Sequence, residues 1–180
     1  MKMLTRRIVL LIGLVLLIDA NVAMAAPDPA FDAATAAVTV TVDEIIEWHA
    51  ANFATIAIAN ITNRGDTPSA SQSLVLYTNC DLDITATNTT AAQLIERVTS
   101  NDTLVTEYKL EYDGDGDPDT GGATVDWAEY DDFLVVPSAV THVTLDGAVN
   151  VTLSARASNA TGTLADAGNY TATQTLTATF

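Results

Sequence analysis

The last stretch of the chain, Asp166 to Phe180, shows the clearest alternation of polar and apolar positions. Threonine occupies every odd position from Thr171 to Thr179, and the even positions are apolar at all but one. A period of two is typical of a strand with one buried and one solvated face, and Gly168 supplies a turn before it. We therefore predict a strand that runs to Phe180, and we expect another segment to cover its edge.

Shorter alternating runs recur between turn residues through the rest of the sequence. We predict strands or strand-like runs over 36–42, 53–62, 73–78, 81–87, 104–112, 127–137, 141–145 and 148–158. Residues 43–51 either continue a strand or form a short helical turn, and 91–98 is the one plausible helix, of roughly two turns. The spacing favours an all-β protein, a single Ig-like or jelly-roll β-sandwich of about seven or eight strands.

The N-terminus differs from this pattern. Lys2, Arg6 and Arg7 precede an apolar run over 8–18 and a small-residue site at 23–25, which predicts a secretory signal peptide over 1–25. The Pro-containing residues that follow indicate a loose arm over 26–42, and 43–180 forms the predicted domain. A secreted protein with no membrane span after cleavage is the expectation.

The charge of the chain limits its partners. Its net charge is −16, and beyond residue 25 its basic residues are Arg64, Arg97, Lys109 and Arg156. Nucleic acid is therefore an unsuitable partner, since phosphate binding needs Lys and Arg; solubility in salt or attraction of divalent cations fits better. Cys80 is the single cysteine, which leaves either a buried thiol or an intermolecular bridge.

An acidic loop follows the predicted strand 104–112. It places carboxylates at Asp113, Asp115, Asp117 and Asp119, with Asp126 further on. Alternate carboxylates separated by glycines can converge oxygen ligands on calcium, but neither alignment with the EF-hand loop fits. Both a solvated acidic turn and a calcium site remain open, with calcium as the one candidate cofactor.

Asn-x-Thr, the acceptor motif for N-glycosylation, recurs along the chain. It occurs at Asn60, Asn88, Asn101, Asn150, Asn159 and Asn169. Alternation in strands puts threonine two places after many residues, so part of this excess is trivial. A glycoprotein is one expectation, and unmodified strand residues are the other.

Catalytic motifs are missing from the sequence. His49 and His142 have no metal-ligand spacing with Cys80, and neither a Gly-x-Ser-x-Gly elbow nor a Gly-rich phosphate loop occurs. Trp48 and Trp127 are expected to be core residues rather than ligand platforms. The sequence does not favour an enzyme.

Both ends of the chain resemble a known family. The arm ends in Ala-Ala-Val-Thr-Val-Thr-Val42, and the terminal strand begins Asp-Ala-Gly-Asn-Tyr170. This looks like the major subunits of surface fimbriae, especially the alpha-type pilins of the chaperone–usher kind. It is similar in layout to archaeal bundling pili and biofilm-matrix fibre subunits. Residues 43–147 hardly share in the resemblance.

The resemblance implies donor-strand complementation, in which the arm of one subunit fills an open groove in the next. Adhesion or biofilm formation would be the role, and partners would be copies of the same chain, with a dedicated chaperone or a surface receptor as further candidates. The donor side chains would be Ala36, Val38, Val40 and Val42, and the groove edge would carry Tyr170, Ala172, Leu176, Ala178 and Phe180. The alternative is a monomeric secreted module that binds calcium or carbohydrate and pairs its Val38 strand within its own sheet.

Overall fold

The computed structural model describes residues 34–112, 123–142 and 147–180. The chain divides into two compact units, Met1–Val40 and Thr41–Phe180. In the first unit, the described residues 34–40 form neither strand nor helix, and Val38 and Val40 are 91% and 88% exposed. All elements named below belong to the second unit. No helix within the described ranges is long and apolar enough to cross a membrane.

The unit Thr41–Phe180 is built from β-strands, which confirms the predicted fold class. Its described residues form ten strands, two of which have only two residues, and one 3₁₀ turn over Thr90–Ala92. The strands are β1 (Ile46–Trp48), β2 (Ser69–Thr78), β3 (Leu82–Ala86), β4 (Ile95–Glu96), β5 (Val105–Tyr112), β6 (Ala123–Glu129), β7 (Ser138–Val140), β8 (Ala148–Ser158), β9 (Tyr170–Thr171) and β10 (Leu176–Thr179).

The larger sheet is antiparallel and has the order β1-β2-β8-β5-β6. Its central strand, β8, pairs Val151 with Leu74 of β2 and with Tyr112 of β5. The predicted alternation holds in β8 and β5. The buried positions in phase with the prediction are Val149, Val151, Leu153, Ala155 and Ala157 in β8 and Thr106, Tyr108, Leu110 and Tyr112 in β5. Ser154, predicted to face outward, is buried as well.

A smaller sheet, β10-β3-β7, packs against the inner face of the larger one. One core cluster joins Leu76, Leu110 and Val151 of the larger sheet to Leu82, Ile84 and Val140 of the smaller. Full burial of such side chains contributes about 1.5–3 kcal/mol each. The two inner faces together therefore form a sandwich, and a third, two-stranded sheet pairs β4 with β9.

Two tyrosine hydroxyls of β5 make hydrogen bonds outside the larger sheet. The Tyr112 hydroxyl on β5 donates to the carbonyl oxygen of Ala139 on β7 at 2.7 Å. The Tyr108 hydroxyl, also on β5, donates to the carbonyl oxygen of Ala92 at 2.7 Å, and burial raises the pKa of Tyr108 to about 12. Each buried hydroxyl is thereby paired, as a buried polar group requires.

The predicted helix over 91–98 is wrong. The segment instead contains the 3₁₀ turn and β4. The amide of Leu94 donates to the Thr106 hydroxyl at 2.9 Å, and the amide of Leu104 donates to the Leu94 carbonyl at 3.1 Å. These tertiary hydrogen bonds replace the local ones of a helix that would be marginal at this length.

Two other predicted strands are not strands in the single chain, and the run predicted over 127–137 is a strand only to Glu129, with turns and bends over 130–136. Residues 36–42 and 53–62 have no strand assignment. Within 53–62, Ile56, Ile58 and Ile61 are half-buried rather than buried. A strand is predicted over 141–145, but the nearest strand, β7, ends at Val140 and residues 141–142 have no strand assignment. Residues 143–146 lie outside the described ranges.

Candidate strand-acceptor groove

The terminal segment, residues 170–176, forms one wall of a groove. The continuous strand predicted to Phe180 is instead β9 and β10, with residues 172–175 unassigned between them. The even positions of the wall are half-buried and its threonines are exposed, in the predicted phase. One edge is already bonded: β9 pairs with β4, and the amide of Thr173 donates to the Ala91 carbonyl at 2.7 Å. Successive residues of a strand direct their backbone groups to opposite edges. Those of Ala172 and Gln174 therefore point to the other edge, where no described residue is their backbone partner.

Residues 53–61 form the opposite wall. None of its residues has a helix or strand assignment, and none makes a backbone–backbone hydrogen bond within the described part of the chain. Within the same described ranges, its polar contact is from Gln72 Nε2 to the Thr55 carbonyl at 3.5 Å. The segment is exposed or half-buried throughout and would span ~30 Å as a strand, so its backbone groups are available to pair with an added strand.

The groove between the walls has two adjoining parts, of about 520 and 990 Å³. Both parts are lined by Ile56, Ile58, Leu94 and Tyr170, which makes them continuous. The rest of the floor comes from the interior of the larger sheet and the residue before β5: Leu74, Tyr108, Leu153 and Ala155 in the smaller part, Leu104 and Ala157 in the larger. The groove thus leads from solvent to the core.

A buried carboxylate supports the terminal wall where that wall begins. Glu96 is 2% exposed, and its carboxylate accepts the amides of Ser100 at 2.9 Å and Thr99 at 2.8 Å. These hydrogen bonds lower the pKa of Glu96 to about 2. A Cβ on Gly168 would lie 2.5 Å from Glu96 Cγ. Glycine therefore lets the terminal wall lie against this turn.

The groove contains part of the predicted edge. Tyr170, Ala172 and Leu176 line it. Ala178 packs against the core outside the groove, and Phe180 is 64% exposed. The prediction does not include the opposite wall, because Ile56, Ile58 and Ile61 predict a buried strand over 53–62 rather than an open edge.

The predicted donor residues are Ala36 and the three valines of the arm, and these valines are exposed. Val42, in the second unit, is 69% exposed and has no strand assignment. With Val38 and Val40 it presents apolar side chains at alternate positions, and Ala36 continues the same phase. Solvated valines in an unpaired, strand-forming sequence are costly to leave exposed.

The predicted calcium site is largely outside the described residues. Asp113, Asp115, Asp117 and Asp119 lie there, and Asp126 is exposed on β6. Among the residues described, no cluster of three or more His, Cys, Asp or Glu side chains could hold a metal ion. Calcium binding stays a prediction.

The six sequons differ in accessibility. Asn60, Asn101, Asn150 and Asn169 are exposed, whereas Asn88 and Asn159 are half-buried. The Nδ2 atom of Asn159 donates to the Arg64 carbonyl at 3.3 Å, so the atom that would carry a glycan is engaged. N-glycosylation also stays a prediction.

The cysteine and the two tryptophans contact other residues of the protein. Cys80 is half-buried, with its Sγ atom 3.4 Å from the Thr78 hydroxyl. Trp48 packs against the core, as expected. Trp127 instead lies half-buried under the guanidinium of Arg156, 4.6 Å from its ring centroid.

The two histidines have different surroundings. The ring of His49 lies 6.0 Å from that of Tyr77, in an edge arrangement. His142 is half-buried, and its backbone amide donates to Asp81 Oδ1 at 2.9 Å. The Nδ1 atom of its ring is buried without a hydrogen-bond partner among the described residues.

The chain has little similarity to known proteins. No protein-family model matches the chain, and no curated protein matches it. The chain is similar to one in a solved structure of a chaperone–tip adhesin complex in CFA/I fimbriae biogenesis, with 15% identity and a TM-score of 0.44. The match covers 74% of this chain but 41% of the other. Similarity at this level bears on neither function nor partners.

Proposed function

We propose that the chain is a structural subunit of an extracellular filament. Its subunits polymerise head-to-tail when the arm of one copy enters the groove of the next. The supporting observation is a core-deep groove whose walls, 53–61 and 170–176, both present unpaired backbone edges. A strand inserted there would gain main-chain hydrogen bonds on both sides and place alternate side chains on the floor.

The arm of a second copy is a suitable occupant. Ala36, Val38, Val40 and Val42 supply small apolar side chains at alternate positions, and the intervening threonines would face solvent. Residues 36–42 span ~23 Å when extended, which is within the length of the 53–61 wall. The same pattern also explains why the arm leaves its valines exposed in the single chain.

Insertion of this kind leads to filaments rather than closed oligomers. The donor surface and the acceptor surface are different parts of the chain, so each added copy presents a new empty groove. Adhesion or biofilm formation is the role we attach to such a filament, with secretion through the predicted signal peptide. A chaperone that covers the groove before assembly is a further partner under this proposal.

Deletion of residues 26–42 tests the proposal. The shortened chain should remain folded, keep its groove and stay monomeric in size-exclusion chromatography. The chain without the predicted signal peptide (residues 1–25) should form filaments visible by negative-stain microscopy. Fibres from the shortened chain would contradict the proposal, and an intact chain that stays monomeric would support the secreted monomeric module instead.

A further inference from the structure

The wall formed by 170–176 contains one polar side chain in its inward phase. Tyr170, Ala172 and Leu176 are the apolar members, and Gln174 lies between the last two. Gln174 lines the smaller part of the groove and is half-buried. A glutamine at this position disfavours an inserted segment that is apolar throughout, so it can influence which segment binds in the groove.

The orientation of the Gln174 amide is fixed by its neighbour. Its Oε1 atom accepts the Thr175 amide at 2.9 Å. Because Thr175 N–H is a donor, the atom facing it must be the oxygen, and the Nε2 atom is directed elsewhere. Nε2 is buried and has no hydrogen-bond partner among the described residues. A buried donor without an acceptor is unfavourable, and this one belongs to a residue that lines the groove.

We propose that Gln174 determines the register of the inserted strand, by donating from Nε2 to the main-chain carbonyl of Ala36 of the second copy. This inference rests on the proposed function. A carbonyl oxygen has two lone pairs, so it can accept the side-chain amide besides its ladder hydrogen bond. The methyl group of Ala36 leaves the amide access to that carbonyl, whereas the branched side chain of valine would block it.

The backbone of the wall agrees with this pairing. The backbone groups of Gln174 and Ala172 point toward the groove, so each of these residues can form a hydrogen-bonded pair with a directly opposite residue of the inserted strand. Opposite residues of antiparallel strands share one face. Ala36 opposite Gln174 then puts Val38 opposite Ala172 and Val40 opposite Tyr170. A shift by two residues in one direction would place Val38 against the unpaired amide. The opposite shift would place Ala34 there but would move Val40 beyond Tyr170, off the 170–176 wall.

Peptide binding to a chain with a disabled arm tests the register. The chain without residues 1–25 and carrying Val38→Asp and Val40→Asp keeps its own groove empty. A synthetic peptide of residues 34–43 is titrated into it by calorimetry. We expect Ala36→Val in the peptide to weaken binding roughly tenfold or more, because it leaves the amide unpaired. When the chain also carries Gln174→Ala, the Ala36→Val peptide should bind it as tightly as the unmodified peptide does.

Two controls separate the amide from general damage. Thr39→Val in the peptide changes a solvent-facing position and should leave affinity unchanged in both chains. Gln174→Met keeps the side-chain length without the amide, and the unmodified peptide should bind it as tightly as it binds the Gln174 chain or more tightly. An Ala36→Val effect of equal size with and without Gln174 would overturn the register while leaving the groove's function intact. Failure of every peptide to bind would reject the proposed function and the register together.

Discussion

Val40→Asp separates the role of the arm in assembly from any role in folding. Val40 is 88% exposed in the single chain, and substitutions at exposed sites usually change stability by less than about 0.5 kcal/mol. The melting temperature of the monomer should therefore stay the same. In a filled groove, however, the same side chain would lie on an apolar floor.

The expected loss in assembly follows from burial. A valine contributes about 1.5–3 kcal/mol on full burial, and Asp would lose this and also bury a carboxylate without a partner. Loss of the apolar term alone corresponds to about 10- to 150-fold in affinity between subunits. With the carboxylate term added, filaments should disappear at concentrations where the unmodified chain assembles fully.

Thr39→Asp is the matched control. It introduces the same charge one residue away, at a position that would face solvent in the filled groove. Sedimentation velocity and negative-stain microscopy should show that Thr39→Asp still assembles and that Val40→Asp does not. Equal impairment by both substitutions would refute the alternation on which the donor assignment depends, and normal assembly of Val40→Asp would refute the use of the arm.

Three further outcomes are expected. Hydrogen exchange should be fast at the amides of 53–61 in the arm-disabled chain and slow in filaments, since these amides have no backbone partner in the single chain; unchanged exchange would exclude this wall. Glu96→Gln should lower the stability of the fold most above pH 4.5 and progressively less down to pH 2. The reason is that folding lowers the pKa of the Glu96 carboxyl from 4.5 to about 2, and the stability that such a carboxylate contributes is lost as the pH falls through that interval. Denaturant unfolding at several pH values measures this, with the exposed Glu47→Gln as control, and a pH-independent difference would contradict it. Gly147→Ala should cost at least about 1–2 kcal/mol, because Gly147 has φ +69° and its added Cβ would press on the Thr78 carbonyl; a thermal melt indistinguishable from the parent would show that the turn adapts.

The sequence predicted best the inward positions of segments whose apolar and polar residues alternate, and these positions are buried in β5 and β8 and half-buried in the terminal segment. In β5, β8 and the terminal segment, side-chain alternation alone identified the inward residues, because burial follows the period of two. Val151 and Leu110 are examples of inward residues that are fully buried. The order of those strands in the sheet was not predictable, since β2 pairs with β8 across more than seventy residues of sequence.

Errors arose where tertiary contacts outweighed local pattern. The segment 91–98 has the composition of a short helix, but Leu94 hydrogen bonds with Thr106 and Leu104 instead. Glu96 showed no sign of burial in the sequence, because its partners are backbone amides of the following turn. The buried strand predicted over 53–62 is neither a strand nor buried in the single chain, because a pattern of apolar residues does not tell whether a pairing strand belongs to the same copy or to another.

Cryo-electron microscopy of the assembled chain tests the central claim most directly. The account predicts filaments in which residues 36–42 of one subunit lie as a strand between 53–61 and 170–176 of the next, with Val38 and Val40 on the groove floor. Filaments whose grooves are empty, or whose grooves hold a segment other than 36–42, would contradict it.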